Sequence, residues 1–166
     1  MKKISMIVLT VLTFGMTSCD MDKMPYDAIP AEEALTTIVG FEEARAGIYS
    51  VYLGLTGGSY VLAPEVQADA FNAVADFSNK YGELHRWTFE STNSTVETIW
   101  ANCYAAIGRA NFFIDGVGKI DENPEIELTE IQKQQINVYE GEAYFTRAYC
   151  YFYLATLFCR DYDVAT

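Results

Sequence analysis

Residues 71–93 combine aromatic side chains with amide, carboxylate and guanidinium groups and show no regular hydrophobic period. Aromatic rings pack on apolar C–H surfaces, and the polar groups hydrogen-bond hydroxyls, so this mixture is typical of a ligand-binding loop. Alternatively, Phe77 and Trp87 only pack the loop onto neighbouring helices. The candidate ligand-binding residues are Asn72, Asp76, Phe77, Asn79, Tyr81, Arg86 and Trp87.

Sequence signatures of catalysis and of metal binding are weak. His85 is the single histidine, and no Gly-x-Ser-x-Gly, His-Glu-x-x-His or Cys-x-x-Cys motif is present. The acidic segment 121–130 lacks the Asp-x-Asp-x-Asp-Gly pattern of a calcium loop. We therefore expect no enzyme activity, no cofactor and no metal. A glycoside hydrolase remains an alternative, because an acidic chain contains many possible carboxylate pairs.

The amino terminus has the order of a secretory signal. Lys2 and Lys3 precede an apolar segment at residues 4–14, and small residues then lead to Cys19. This order resembles a bacterial lipoprotein signal, which predicts a signal peptide at 1–18, a lipidated Cys19 and a tether at 19–30. The acidic residues that follow Cys19 resemble a surface-export signal of Bacteroidetes-like lipoproteins. An ordinary signal peptide with an incidental cysteine is the alternative.

Composition excludes several classes of protein. The 166 residues include 11 Lys and Arg against 23 Asp and Glu, a net charge of -12, which argues against nucleic-acid binding. No apolar run reaches the roughly 20 residues that span a bilayer, so the predicted membrane attachment is through the lipid alone. Cys103, Cys150 and Cys159 lie in apolar helical stretches and are expected to be buried free thiols rather than a disulfide or a site.

Hydrophobic periodicity predicts an all-α fold for residues 31–166. Apolar residues recur at helical steps in 40–55 and, more weakly, in 60–70. A longer stripe from Val96 to Val117 predicts a third helix, capped by Ser94 or Thr95 and ended by Gly116 or Gly118. Thr129 is predicted to cap a fourth helix that extends to about Phe158.

The third and fourth helices are predicted to form an antiparallel hairpin, because their connection is short. The stripe of the fourth helix is formed by Ile131, Val138, Phe145 and Phe152, and toward its end this helix is apolar all round. Such a helix needs neighbours on every side. We therefore expect stacked helix pairs and a chain that is a fragment of a longer protein.

The segment Gly141–Phe158 strongly resembles the G-E-A-x-F-x-R-A-x-x-Y-F-x-L-x-x-L-F helix of the SusD/RagB family. Trp100 to Phe113 resembles that family's W-x-x-x-Y-x-x-I-x-x-A-N helix, and Phe41 to Tyr49 is similar to its first helix. The lipoprotein signal also fits. The resemblance runs in order over residues 1–162, although family members are roughly three times longer.

The resemblance implies the amino-terminal part of a SusD-like helical fold built from tetratricopeptide-like helix pairs. It implies a cell-surface lipoprotein of the outer membrane that binds oligosaccharides and partners a SusC-like TonB-dependent transporter in nutrient uptake, without enzyme activity. The family's ligand residues lie in variable loops, so its motifs assign none of the candidates. A helical-repeat scaffold without a sugar site is the alternative. Structural roles are expected for Arg109, Asn111, Glu142 and Arg147.

Overall fold

The computed structural model describes residues 30–74, 80–124 and 126–160. The predicted signal peptide, Cys19 and the tether up to residue 29 lie outside the described residues and stay predictions. The described residues form helices and no β-strand, which confirms the all-α prediction. The helices are α1 (Ala31–Ala34), α2 (Ile38–Leu55), α3 (Ser59–Gln67), α4 (Gly82–His85), α5 (Ser94–Gly118) and α6 (Glu130–Phe158).

Helix α2 begins at a side-chain cap and buries the predicted face. The Thr37 hydroxyl accepts a hydrogen bond from the backbone N–H of Gly40 at 3.2 Å, which satisfies one of the free N–H groups of the first turn. Phe41, Ile48 and Leu55 are buried at steps of seven residues, as the periodicity predicts. The ring centroid of Phe41 lies 5.6 Å from that of Phe113 in α5, edge to face, so α2 packs onto the long helices through aromatic contact.

The caps of the two long helices follow from local hydrogen bonding. Asn93, rather than the predicted Ser94 or Thr95, caps α5. Its side-chain oxygen accepts from the backbone N–H groups of Thr95 and Val96, at 3.0 and 3.4 Å. Of the two predicted ends, Gly116 and Gly118, the structure has α5 end at Gly118. Thr129 caps α6 as predicted and forms a reciprocal capping box with Gln132.

Helices α5 and α6 form the predicted antiparallel hairpin. The ring of Trp100, early in α5, lies 5.1 Å from that of Phe158 at the end of α6. Nearer the connection, Lys133 Nζ donates to Asp121 Oδ1 at 2.9 Å. Small side chains allow the two helices to approach closely along the seam between them. The buried seam residues include Cys103, Ala106 and Ala110 of α5 and Ala143, Thr146 and Cys150 of α6.

The predicted stripe of α6 is not its packed face within the described residues. Ile131, Val138, Phe145 and Phe152 are 77%, 63%, 58% and 68% exposed. The helix instead packs through Ile136, Tyr139, Ala143, Thr146, Cys150 and Leu154. Size explains the difference, since close helix approach needs small side chains, and these lie on the other side of α6. We call the four exposed positions the outer face of α6.

Three other predictions need correction. Residues 71–93 are not loop throughout, because α4 forms a single turn anchored by buried Leu84, too short to produce a periodic signal. The second helix ends at Gln67 instead of Ala70, and Asp69 adopts a left-handed conformation (φ 59°) just after it. Cys159 is exposed and follows the last residue of α6, whereas Cys103 and Cys150 are buried free thiols, as predicted.

A backbone carbonyl that Pro64 leaves without a donor in α3 is hydrogen-bonded by a side chain of α6. Pro64 lies inside α3 and lacks the N–H that would bond to the Tyr60 carbonyl four residues earlier. That carbonyl accepts a hydrogen bond from the Tyr153 hydroxyl of α6 instead. Burial raises the pKa of Tyr153 to about 12, which keeps the hydroxyl a donor at neutral pH.

Among the described residues, no helix is both long enough and apolar enough to cross a bilayer.

Candidate functional site

Trp87 is a strained and exposed aromatic residue that directly follows α4. Its backbone is left-handed (φ 55°), a conformation that costs a non-glycine residue roughly 1–2 kcal/mol. The side chain is 66% exposed, and its indole Nε1–H donates to the Gln67 carbonyl at 3.3 Å. This bond ties the polar edge of the ring to the end of α3 and leaves most of its surface in solvent.

The neighbouring residues hold Trp87 in place. Its ring centroid lies 6.2 Å from that of Phe89, which is half-buried and packs against the helical core. Its backbone N–H donates to the Leu84 carbonyl at 3.2 Å, and Leu84 is buried. We call Trp87, Phe89 and the adjacent exposed Arg86 the Trp87 surface. Sequence analysis missed Phe89, although an aromatic residue two positions after Trp87 was visible in the sequence.

His85 fixes α4 to α3 rather than lying free for catalysis. Its Nδ1 lies 3.1 Å from the Val66 carbonyl oxygen, so this nitrogen carries the hydrogen and donates. The same nitrogen lies 3.8 Å from Asp69 Oδ1, and the side chain is half-buried. These contacts place the turn that precedes Trp87, so His85 has a positioning role.

The remaining candidate ligand-binding residues differ in their exposure and contacts. Tyr81 is half-buried, its hydroxyl lies 3.1 Å from Ser59 Oγ, and the Lys80 ammonium lies 5.4 Å from its ring centroid. These contacts occupy both the polar and the aromatic part of Tyr81, which favours packing over ligand binding. Arg86 and Asn72 are exposed. Asp76, Phe77 and Asn79 lie outside the described residues, and their ligand role stays a prediction.

A second aromatic surface lies between α2 and α6. Tyr49, Tyr52, Gly141 and Phe145 line part of a cavity of about 280 Å³. The ring centroid of Tyr52 lies 6.1 Å from that of Phe145 and 5.7 Å from that of Tyr149. We call this cavity and its rings the tyrosine groove. Its rings contact one another closely, whereas the Trp87 ring has one aromatic neighbour among the described residues.

An ion pair lies beside the tyrosine groove, and its carboxylate residue, Glu142, lines the cavity. Arg45 Nε and Nη2 donate to the two carboxylate oxygens of Glu142, at 2.5 and 2.9 Å. The Arg45 guanidinium also lies 4.4 Å from the ring centroid of Tyr139. The hydrogen bond with Arg45 lowers the pKa of Glu142 below its ordinary value, so the carboxylate stays ionised. Glu142 thus joins α6 to α2.

The other polar residues of the helices that resemble family motifs also bridge helices. Arg147 Nη1 donates to Asn111 Oδ1 at 2.9 Å, which joins α6 to α5. Arg109 Nη1 donates to the Gly47 carbonyl at 2.6 Å and to Ser50 Oγ at 2.9 Å, which joins α5 to α2. These bonds agree with the structural roles expected for the motif residues.

Within the described residues, no group of three or more His, Cys, Asp or Glu side chains could hold a metal ion.

Comparison with known proteins gives two matches and one negative result. Residues 24–166 match the model of a SusD-like family described as "Starch-binding associating with outer membrane". SusD-like protein P2 of Formosa agariphila is 26% identical over 163 residues, which cover 94% of the chain. The aligned part is 29% of that relative, so the chain spans less than a third of its length. No solved structure matches the chain.

Proposed function

Because this chain belongs to the SusD-like family, we propose that it is the amino-terminal part of a cell-surface protein that binds oligosaccharides and does not catalyse their cleavage. The family description, starch binding in association with the outer membrane, supports the proposed ligand class and compartment. The side-chain arrangement at the Trp87 surface supports a proposed location for the ligand contact. We propose that an oligosaccharide stacks on the Trp87 ring.

The observation that carries the location is that Trp87 is exposed and held at the same time. Its Nε1–H is bonded to the Gln67 carbonyl, so the ring is oriented before a ligand arrives. A ring with a fixed orientation loses little conformational freedom on binding, which favours affinity. Sugar rings present C–H faces that pack on aromatic faces, and the exposed Arg86 supplies hydrogen-bond donors for hydroxyl groups.

Backbone strain gives independent support. A bulky aromatic residue in the left-handed region is an outlier, and strain of this kind clusters at ligand-binding positions. A turn that served packing alone would be more stable with glycine at this position. We therefore infer that position 87 carries tryptophan for the sake of its exposed ring.

The test is the oligosaccharide affinity of the whole protein with Trp87→Ala. Titration calorimetry with malto-oligosaccharides, followed by a panel of other soluble oligosaccharides, should show an affinity loss of about tenfold, the effect of one lost aromatic contact. Phe152→Ala is the matched control, because Phe152 is 68% exposed but lies on the outer face of α6. Equal affinities of both variants and the wild type would overturn the proposed location.

Enzyme activity is the main competing function for a glycan-binding chain. We propose that no hydrolysis occurs, because the family is described by binding. Incubation of the whole protein with each bound oligosaccharide should release no reducing ends above the rate of a heat-denatured control. Steady release that is lost in a carboxylate variant would replace the binding proposal with a lipid-anchored glycoside hydrolase.

We further propose that Cys19 carries the lipid anchor after removal of residues 1–18. The basic, apolar and small-residue order before Cys19 supports this assignment. Cells grown with an alkyne-labelled fatty acid should incorporate the label into the wild-type protein and not into Cys19→Ser. Label retained by Cys19→Ser would contradict the assignment, and protease treatment of intact cells would test exposure at the cell surface.

The proposed protein partner is a SusC-like TonB-dependent transporter. A transporter of this class is the partner that the family resemblance implies, and the description of outer-membrane association supports the compartment. Affinity purification of the tagged whole protein from detergent-solubilised outer membranes should recover the transporter. Recovery of other proteins alone, together with absent glycan affinity, would favour the alternative of a helical-repeat scaffold.

A further inference from the structure

Cys103 and Cys150 form a buried thiol pair in the seam of the helical hairpin. Their exposed fractions are 1% and 0%, and both belong to the same apolar cluster, which also contains Ile107 and Leu154. The two thiols lie within hydrogen-bonding reach of each other. The two sulfur atoms are therefore neighbours on facing helices, and Cys159, at the exposed end of α6, does not belong to this cluster.

Contacts that fix the antiparallel register of α5 and α6 keep Cys103 next to Cys150. Cys103 lies about one turn after Trp100, whose ring contacts the end of α6. Cys150 lies about one turn after Arg147, whose guanidinium reaches α5 with a 2.9 Å hydrogen bond. The pair is thus bracketed by contacts that resist sliding of one helix past the other.

Small neighbours bring the two backbones close together at this point. Ala106 and Ala110 of α5 and Ala143 of α6 are completely buried in the same seam. A disulfide needs Cα atoms about 4.4–6.8 Å apart, and small facing residues favour such a close approach of two helices. The seam therefore has the local composition that a crosslink between two helices requires.

We propose that Cys103 and Cys150 form a disulfide that links α5 to α6 when the chain folds in an oxidising compartment. A chain carried out of the cytoplasm by the predicted signal peptide folds where disulfides persist. The crosslink closes a loop of roughly 50 residues, long enough to restrict the unfolded chain substantially.

The oxidant is a second disulfide, of a protein or of a small molecule. One cysteine thiolate attacks the oxidant disulfide, forms a mixed disulfide and releases one sulfur of the oxidant as a thiol. The other cysteine thiolate attacks the mixed disulfide, forms the Cys103–Cys150 bond and releases the second sulfur. The two protons of the cysteine thiols end on the two released thiols, so the oxidant gains the two electrons that the pair loses.

Folding order determines when this exchange takes place. The hydrogen bond with Cys103, together with burial, raises the pKa of Cys150 above its ordinary value, and burial shields both sulfur atoms from oxidants in the native protein. Exchange therefore occurs while the chain is still open, and the native helices then bring the correct pair together. A reduced protein that has already folded should react slowly with both oxidants and alkylating reagents.

The experiment uses the whole protein with Cys159→Ala, which removes the exposed thiol. The protein is unfolded in urea with a reductant, refolded with oxidised glutathione, treated with N-ethylmaleimide and analysed by peptide mass spectrometry. We expect a linked pair of peptides that contain Cys103 and Cys150, and a melting temperature several degrees above that of protein refolded with the reductant. Cys103→Ala should remove both the link and the temperature difference.

Three outcomes would overturn the proposal. The first is that both cysteines are recovered alkylated or as glutathione adducts after oxidative refolding. The second is a linked product with a melting temperature below that of the reduced protein, because the crosslink would then strain the native seam. The third is that native reduced protein alkylates at Cys103 and Cys150 as fast as unfolded protein, since the pair would then not be buried.

Discussion

The helical core and the Trp87 surface are held together by different interactions. In the core, α2, α5 and α6 bury whole side chains against one another, as at Phe41 and Phe113. At the Trp87 surface, one indole N–H, one histidine nitrogen and one buried leucine hold the segment to α3. Apolar burial holds the core, whereas a few directed bonds hold the surface, so the two regions should respond differently to substitution.

The largest expected effect is in the core, where Ile136→Ala removes a completely buried side chain. The free energy of unfolding should fall by about 3 kcal/mol, because both apolar transfer and cavity formation oppose the variant. Val138→Ala, two residues away on the outer face of α6, should change it by less than about 0.5 kcal/mol. Urea unfolding followed by circular dichroism measures both values. Equal losses would mean that the outer face is covered as well as the inner one.

A pair of glycines in α2 gives the next largest contrast. A Cβ atom at Gly40 would lie 2.1 Å from the Ala34 carbonyl oxygen, a backbone atom that cannot rotate away. Gly40→Ala should therefore destabilise the protein by about 2 kcal/mol. At Gly54 nothing lies within 4 Å of the added atom, and Gly54→Ala should stabilise it by about 0.5–1 kcal/mol. Melting temperatures that move in the same direction would contradict the packing of α1 on α2.

The Arg45–Glu142 pair should contribute about 1 kcal/mol to stability at neutral pH, because it is bidentate but partly exposed. The folded-state pKa of Glu142 is lower than its ordinary value of 4.5. The contribution is therefore complete well above pH 4.5 and is lost as the pH falls through the lowered pKa. Glu142→Gln should be less stable than the wild type at pH 7 and should approach it at low pH. A stability difference that does not depend on pH would contradict this assignment.

The smallest stability effect is expected at the Trp87 surface. Trp87→Gly relieves the left-handed strain but loses the indole hydrogen bond, so its free energy of unfolding should stay within about 1 kcal/mol of the wild type. Trp87→Ala keeps a Cβ atom at the same backbone conformation and should be less stable than Trp87→Gly by about 1 kcal/mol. Both variants should lose oligosaccharide affinity equally. A large destabilisation in Trp87→Gly would make Trp87 a packing residue.

The difference between the helical core and the Trp87 surface also explains which features could be predicted from the sequence. The periodic burial of Phe41, Ile48 and Leu55 and the cap at Thr129 depend on neighbours in the sequence, and both were predicted. The packed face of α6 was not, because Phe145 has a stronger apolar signal than Ala143, although close helix approach selects the smaller residue. The orientation of the Trp87 ring was not predicted, because its indole N–H bonds to the Gln67 carbonyl of α3, which lies 20 residues earlier in the sequence.

Pro64 and Tyr153 are expected to be energetically coupled, although they lie far apart in the sequence. Pro64 leaves the Tyr60 carbonyl without its helical donor, and Tyr153 supplies the replacement. Pro64→Ala would restore a competing N–H, so the hydroxyl of Tyr153 would matter less in that background. The loss caused by Tyr153→Phe should therefore be greater with proline at position 64 than with alanine. A homologue that replaces this proline is free to replace the tyrosine too, so the two positions are expected to covary.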